Sequence, residues 1–294
     1  MKLSTMTNFY YKNTPDKEGF ARALRRTNAM GFDAIDFCMC PMQRNDSELC
    51  LDDWEYTLEK LVAIKEELSL DIAQSHLPYP VTARRRKSAT DPGCEQNEFF
   101  VKMTERAVRI SAALGVKWAI VHPAEYETLA DELIPEKMLE YNKKIYGPVV
   151  ELASSLGVGI AFENMADPEG RRFGVAGNEL VAIMEAFNDP MVGVCWDFGH
   201  ANRVFKNQIP QLKAVAPYLR ATHVDDNIGK DDLHTIPFFG TIDWKKIMPL
   251  LKEIGYEGCF NYELAVCKRM PEEMLDPTVK YIYEMGRYLL TLAK

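Results

Sequence analysis

Along the whole chain, short runs rich in β-branched and apolar residues alternate with longer stretches in which apolar positions recur every three or four residues. The first pattern reads as buried strand, the second as amphipathic helix. Eight strand runs stand out: KLSTMTN around residue 5, FDAIDFC from Phe32, LDIAQSH from Leu70, KWAIVHP from Lys117, VGIAFEN from Val158, VGVCWDF from Val192, LRATHVD from Leu219 and GCFNYEL from Gly258. Helical spacing fills the intervals in WEYTLEKLVAIKEEL, EFFVKMTERAVRISAAL, NKKIYGPVVELASSL and NELVAIMEAFN, and again around Met274 to Leu292. Several of these patterns stop at a glycine (Leu114-Gly115, Leu156-Gly157, Ile254-Gly255), the residue that takes the left-handed conformation a helix end demands.

Regular alternation of strand and helix predicts βα units and a parallel sheet. Eight units with no linker, repeat array or low-complexity tract favour a closed barrel over two open sheets. The expected fold is therefore α/β, a single (β/α)8 TIM barrel spanning residues 1–294, with its site at the C-terminal ends of the strands. At 294 residues and 47% hydrophobic, the chain can bury such a core.

No run approaches the ~20 apolar residues of a membrane span, and the start MKLSTMTNFYYK lacks the apolar stretch of a signal peptide, so a soluble cytoplasmic protein is expected. Seven cysteines, an odd number scattered through a large chain, read as free thiols. Cys38 and Cys40 share a strand face, but no second pair stands nearby to complete a thiolate metal site. A formal charge of −8 argues against nucleic acid as the main partner, because neutralising phosphates requires a basic surface.

The ionisable residues sharpen the expectation. All five histidines, His76, His122, His200, His223 and His234, fall at a strand end or in the loop just after one. Glu163 ends the fifth run, Asp197 the sixth and Glu263 the eighth. A lone histidine at such a place is commonly a satisfied polar group. Imidazoles and carboxylates converging from several strands on one rim are instead what a divalent metal requires, with imidazole suiting Zn²⁺, Mn²⁺ or Co²⁺ and carboxylate also tolerating Mg²⁺.

With SHLPY, VHPA, FEN, WDFGHAN, THVDDN, DLHTIPFFGTIDW and the final YEL in this order, the chain resembles the xylose isomerase-like barrel superfamily, in particular the sugar phosphate isomerase/epimerase proteins. The resemblance implies one divalent ion held by Glu163, Asp197, His223 and Glu263, with His200 contacting substrate. It implies isomerisation or epimerisation of a sugar, sugar phosphate or keto-polyol through a metal-stabilised enediolate, Glu163 and Glu263 acting as base and acid. His76, His122, Asp232 and His234 then join His200 as substrate contacts, and Tyr79, near the third strand end, is a further candidate contact on its own aromatic character. A homo-oligomer is expected by the same analogy.

The chain also resembles the endonuclease IV group, which holds three zinc ions and cleaves abasic DNA. Its nine ligands have matching residue types at His76, His122, Glu163, Asp197, His200, His223, Asp232, His234 and Glu263. One metal site is expected from the first resemblance and up to three from the second. The wording of WDFGHAN and of the D-x-H-x-x-P loop favours the sugar-active members. Phe238 departs from the glycine those members often carry and is expected to narrow the substrate pocket.

Two basic loops, Arg84 to Lys87 after the third strand and Arg171-Arg172 after the fifth, would open onto the mouth of the barrel. A charge run is ordinarily a solvated loop; the functional reading is an anion clamp for a phosphate or acidic sugar. Tyr10, Phe37, Tyr79 and Trp196 are candidates to stack on a sugar face, with core packing as the plainer role for at least half of them.

Overall fold

The computed structural model describes residues 1–79, 97–124, 134–169 and 172–293. Eight parallel strands form one sheet curled into a (β/α)8 TIM barrel: β1 (Lys2–Met6), β2 (Ala34–Cys38), β3 (Ile72–His76), β4 (Trp118–Val121), β5 (Gly159–Glu163), β6 (Val192–Asp197), β7 (Leu219–His223) and β8 (Cys259–Tyr262). Each coincides with one of the runs read from the sequence.

The helices outside the sheet are α1 (Gly19–Ala29), α2 (Trp54–Leu68), α3 (Asn97–Ala113), α4 (Pro135–Ser155), α5 (Gly177–Phe187), α6 (Phe198–Val204), α7 (Ile209–Val215), α8 (Trp244–Glu253) and α9 (Glu272–Leu292). Helix α2 matches its pattern residue for residue. Helix α4 begins seven residues earlier than the pattern from Asn142, because Pro135, whose missing N–H costs nothing in a first turn, starts it. Gly115, Gly157 and Gly255 all have positive φ (72°, 77° and 72°), as their helix-stop role requires.

Successive strand residues face opposite ways, and this period positions the site. Ile160 and Phe162, or Val194 and Trp196, pack outward into the large core beneath the helices. Ile120, Ala161, Cys195 and Ala221 form a separate inner cluster, fully buried inside the barrel. Two residues beyond each of these, on the same inward row, come His122, Glu163, Asp197 and His223. The small side chains of the inner cluster thus make a floor, and the ionisable groups stand one step above it.

The ring is laddered from β7 round through β1 to β8. Between β7 and β8 the pairing reduces to a single bridge, Val224 with Tyr262, in which the Val224 N–H donates to the Asn261 carbonyl at 2.7 Å. The Thr222 hydroxyl donates to the Cys259 carbonyl at 2.7 Å and supplements that seam.

Candidate metal and active site

One ligand atom each from Glu163, Asp197, His223 and Glu263 can be chosen so that all lie within 4.8 Å of one another. The strand ends bring them there: Glu163, Asp197 and His223 are the last residues of β5, β6 and β7, and Glu263 follows β8 directly. His223 Nδ1 sits between the two glutamates, 3.0 Å from Glu163 Oε1 and 2.7 Å from Glu263 Oε2. Asp197 Oδ2 is buried with no hydrogen-bond donor, and the buried Glu163 Oε2 and Glu263 Oε2 meet only ring nitrogens of histidine. Buried carboxylate oxygens met by nothing but imidazoles fit a divalent cation.

Glu163 is the hub. Its Oε2 lies 3.3 Å from His76 Nε2 and 3.2 Å from His122 Nε2, and its Oε1 lies 3.4 Å from His200 Nδ1. Burial opposes its charge, yet the imidazoles of His223 and His122 hold the carboxyl well below its ordinary range. Burial likewise opposes ionisation of Glu263, and His223 brings it down to about 2. Asp197 is different: burial raises it to about 6 against the pull of His200.

The histidines are held in defined orientations. His76 Nδ1 donates to the Leu77 carbonyl and His200 Nδ1 to the Asn164 carbonyl, each at 2.8 Å, which leaves Nε2 of both facing the cavity. His200 Nε2 and His234 Nε2 approach the same oxygen, Asp232 Oδ2, at 3.4 and 3.3 Å. His122 packs flat on Tyr79, ring centroids 4.9 Å apart.

Above these residues opens a polar cavity of about 570 Å³. Among the residues lining it are His76, Tyr79, His122, Glu163, His200, Asp232, His234 and Glu263, together with Arg172. Arg171 and the Arg84 to Lys87 run lie outside the described residues. Of the aromatic candidates only Tyr79 lines the cavity; Tyr10, Phe37 and Trp196 are core, as the plainer reading held.

The expectation that Phe238 narrows the pocket is overturned. Its ring lies on the outside of the barrel beside Tyr288, centroids 6.0 Å apart, in a shallow depression shared with Tyr281 and Met285. The position nevertheless suits glycine, because φ is 72° there. A glycine in relatives would serve the turn of the chain rather than room for substrate.

Several functional groups escaped the sequence reading. Asp36, buried in the middle of β2, faces His223 Nε2 at 3.6 Å and is itself fixed by the side-chain amides of Gln74 and Asn261, at 2.7 and 2.9 Å. A carboxylate inside an apolar strand was the available signal. Asp226 organises the loop that carries Asp232 and His234. Its Oδ1 accepts from the Asn227 and Ile242 N–H groups and its Oδ2 from the Phe238 N–H and the Trp244 indole, at 2.9 to 3.2 Å. Arg203 and Lys268 add cations to the lining of the cavity.

A curled parallel barrel with a carboxylate and imidazole cluster at its strand ends defines a class, and sequence comparison agrees. The chain belongs to the xylose isomerase-like TIM barrel family, whose profile matches residues 24–285. It is 30% identical over 173 residues to an uncharacterised protein of Methanocaldococcus jannaschii, covering 57% of this chain and 58% of that one. A ketose 3-epimerase of Arthrobacter globiformis is 22% identical over 250 residues, 84% of this chain and 78% of its own. A probable endonuclease 4 of Mesomycoplasma hyopneumoniae is 26% identical over 150 residues, 47% of this chain and 50% of its own. This chain thus spans under two thirds of the length of the Methanocaldococcus relative.

Among solved structures, a D-tagatose 3-epimerase-like protein superposes with a TM-score of 0.75 at 19% identity, over 99% of this chain and 98% of its own. The IolI protein, solved with a zinc atom bound, gives 0.71 at 18% identity over 100% and 98%. At such identities the likeness is one of fold. Among the described residues no helix is long and apolar enough to cross a membrane.

Proposed function

We propose that this protein is a divalent-metal-dependent isomerase or epimerase of a small ketose, keto-polyol or sugar phosphate. The observation that carries the proposal is the pair of glutamates, Glu163 and Glu263, meeting on either side of His223 Nδ1 on the floor of a polar cavity. Both are held ionised, so either can accept a proton from a carbon next to a carbonyl and give that same proton back, while return on the opposite face requires the other first to take up a proton from water. A bound divalent ion, gripped by Glu163, Asp197, His223 and Glu263, would polarise the substrate oxygens and acidify that C–H.

The remaining residues of this chain orient the substrate. His76 and His200 present Nε2 toward the cavity, where each can hydrogen-bond a substrate hydroxyl, and Tyr79 braces His122. Arg172 lies at the mouth, where a phosphate or carboxylate of the substrate would meet it.

The test is solvent exchange. Ketoses and their phosphates are incubated with the manganese-loaded protein in D₂O, and deuterium at the carbon beside the carbonyl is followed by NMR. Exchange with at least one ketose is expected, falling about 10²- to 10⁴-fold in Glu163→Gln and in Glu263→Gln. Absence of exchange across the panel, or full activity in both variants, overturns the proposal.

A second reading, a multi-metal phosphodiesterase resembling endonuclease IV, is favoured by one observation: His200, Asp232 and His234 offer a separate ligand trio. Cleavage of an abasic duplex, with no ketose exchange, would establish it instead.

A further inference from the structure

A second cavity lies at the N-terminal ends of the strands, away from the candidate metal site. Layers of side chains ordinarily fill a barrel down to this face. Here the inward row reaches glycine on two neighbouring strands, Gly159 beneath Ala161 on β5 and Gly193 beneath Cys195 on β6. A Cβ on Gly159 would lie 2.3 Å from Trp118 Cζ3, and one on Gly193 would lie 2.4 Å from Arg220 Cγ. Trp118, at the start of β4, and Arg220, at the start of β7, therefore lean over β5 and β6 toward each other, and the guanidinium comes to 5.7 Å from the centre of the indole ring. The cavity they line is about 370 Å³, which suits a small ligand.

The charges around it are not balanced. Arg220 Nη1 donates to the carbonyls of Pro217 and Leu219, both at 3.1 Å, while Nε and Nη2 meet no acceptor among the described residues. That free edge carries two parallel N–H donors, the geometry that grips a carboxylate through both oxygens. Lys2 is engaged by Asp71 at 2.5 Å. Lys117 and Arg220 then face one remaining carboxylate, Glu257, so two positive charges against one negative leave a surplus of one, on a chain whose formal charge is −8.

We propose that this cavity binds a small planar carboxylate, an aromatic or heteroaromatic acid, with its ring beside Trp118 and its carboxylate in the Nε–Nη2 fork of Arg220. A monoanion cancels the surplus charge, whereas a phosphate dianion would exceed it. The site is distinct from the one at the strand ends and stands independently of the isomerase reading. Arg220 and His223 nevertheless share β7, and Trp118 lies on the strand that leads to His122, so an occupant would touch the far ends of two strands that reach the metal site.

The experiment titrates 4-fluorobenzoate into the full chain, freed of metal with a chelator and then dialysed, and follows the ligand by fluorine NMR. Saturable broadening is expected, with a dissociation constant at or below about 10 mM. Arg220→Gln should weaken it about 10- to 100-fold, the worth of a charge-assisted fork. 4-Fluorobenzamide, which has the same shape without the charge, should bind wild type at least about 10-fold more weakly. Absence of saturation in wild type, an Arg220→Gln protein that binds as wild type does, or a benzamide that binds as tightly as the benzoate each overturns the proposal. If Arg220→Gln does not fold, Lys117→Glu, a change at an exposed residue, takes its place. Reversing that charge should weaken binding several-fold, and unchanged affinity overturns the site equally.

Discussion

Replacing Asp226 by asparagine tests whether the loop between β7 and α8 is held from its own interior. The four groups pointing at this carboxylate are all donors, two to each oxygen, and the residue is fully buried. Asparagine keeps the shape but turns one oxygen into an NH₂. Whichever way the amide is placed, two buried N–H groups then confront a donor: Asn227 with Ile242, or Phe238 with Trp244. Leaving a buried donor unsatisfied costs about 1–3 kcal/mol, so the pair costs about 2–6 kcal/mol. That is a large share of the roughly 5–15 kcal/mol by which a domain is stable.

Urea unfolding at fixed pH, followed by tryptophan fluorescence and far-ultraviolet circular dichroism, would read the loss as a lower midpoint at unchanged slope. Hydrogen exchange would localise it, with the amides of Phe238 and Ile242 losing protection first. A variant whose unfolding free energy stays within about 0.5 kcal/mol of wild type, the range of ordinary surface substitutions, would refute the reasoning.

Three further outcomes follow from the same geometry. Asp36→Asn should weaken Mn²⁺ binding about 10- to 100-fold, measured against a competing chelator, because the Asp36 carboxylate lies 3.6 Å behind His223 Nε2 and its charge makes the ring a stronger donor; unchanged affinity would remove Asp36 from that role. Gly240→Ala should cost about 1–3 kcal/mol in urea unfolding, since its methyl would lie 2.1 Å from Asp226 Oδ1 and 2.3 Å from the Asn227 carbonyl. The third concerns pH. Burial lowers His76, but the charge of Glu163 outweighs it and holds the imidazole at about 9. A value raised above the unfolded 6.5 contributes stability that is complete below that pH and is lost as pH rises through 9. The chelator-treated protein should therefore melt lower at about pH 10 than at about pH 7, and added Mn²⁺, taking the proton's place beside Glu163, should flatten the difference; an equal fall with and without metal would contradict this.

Strand positions and the cluster of strand-end ligands were legible because one rule, alternation along a buried strand, governs both. Glu163 and His223 could be placed on the rim from AFE and ATH alone. Asp225 obeys the same rule, two residues past His223, but THVDDN carries the composition of a loop, which hides it. Asp36 required knowing that β2 lies across the barrel from β7, a tertiary fact. Short helices such as α6, seven residues beginning at Phe198, lack the length for a periodic signal. The outward turn of Phe238 depends on Asp226 taking its N–H, which no local pattern announces.

The seam between β7 and β8 gives the proposed metal centre a mechanical side. His223 hangs from one edge of that join and Glu263 from the other, 2.7 Å apart at the contact with Nδ1, where the backbone supplies only one bridge. An ion gripping both would act as a clasp on a bracelet. Stripped of it, the join keeps only two backbone hydrogen bonds and the Thr222 hydroxyl, so it is where the ring would part first into a curled ribbon with two bare edges, and bare edges recruit other chains. Prolonged storage with a chelator should then bring turbidity before any loss of helix, and the fibres or clumps that form should be joined through β7 and β8.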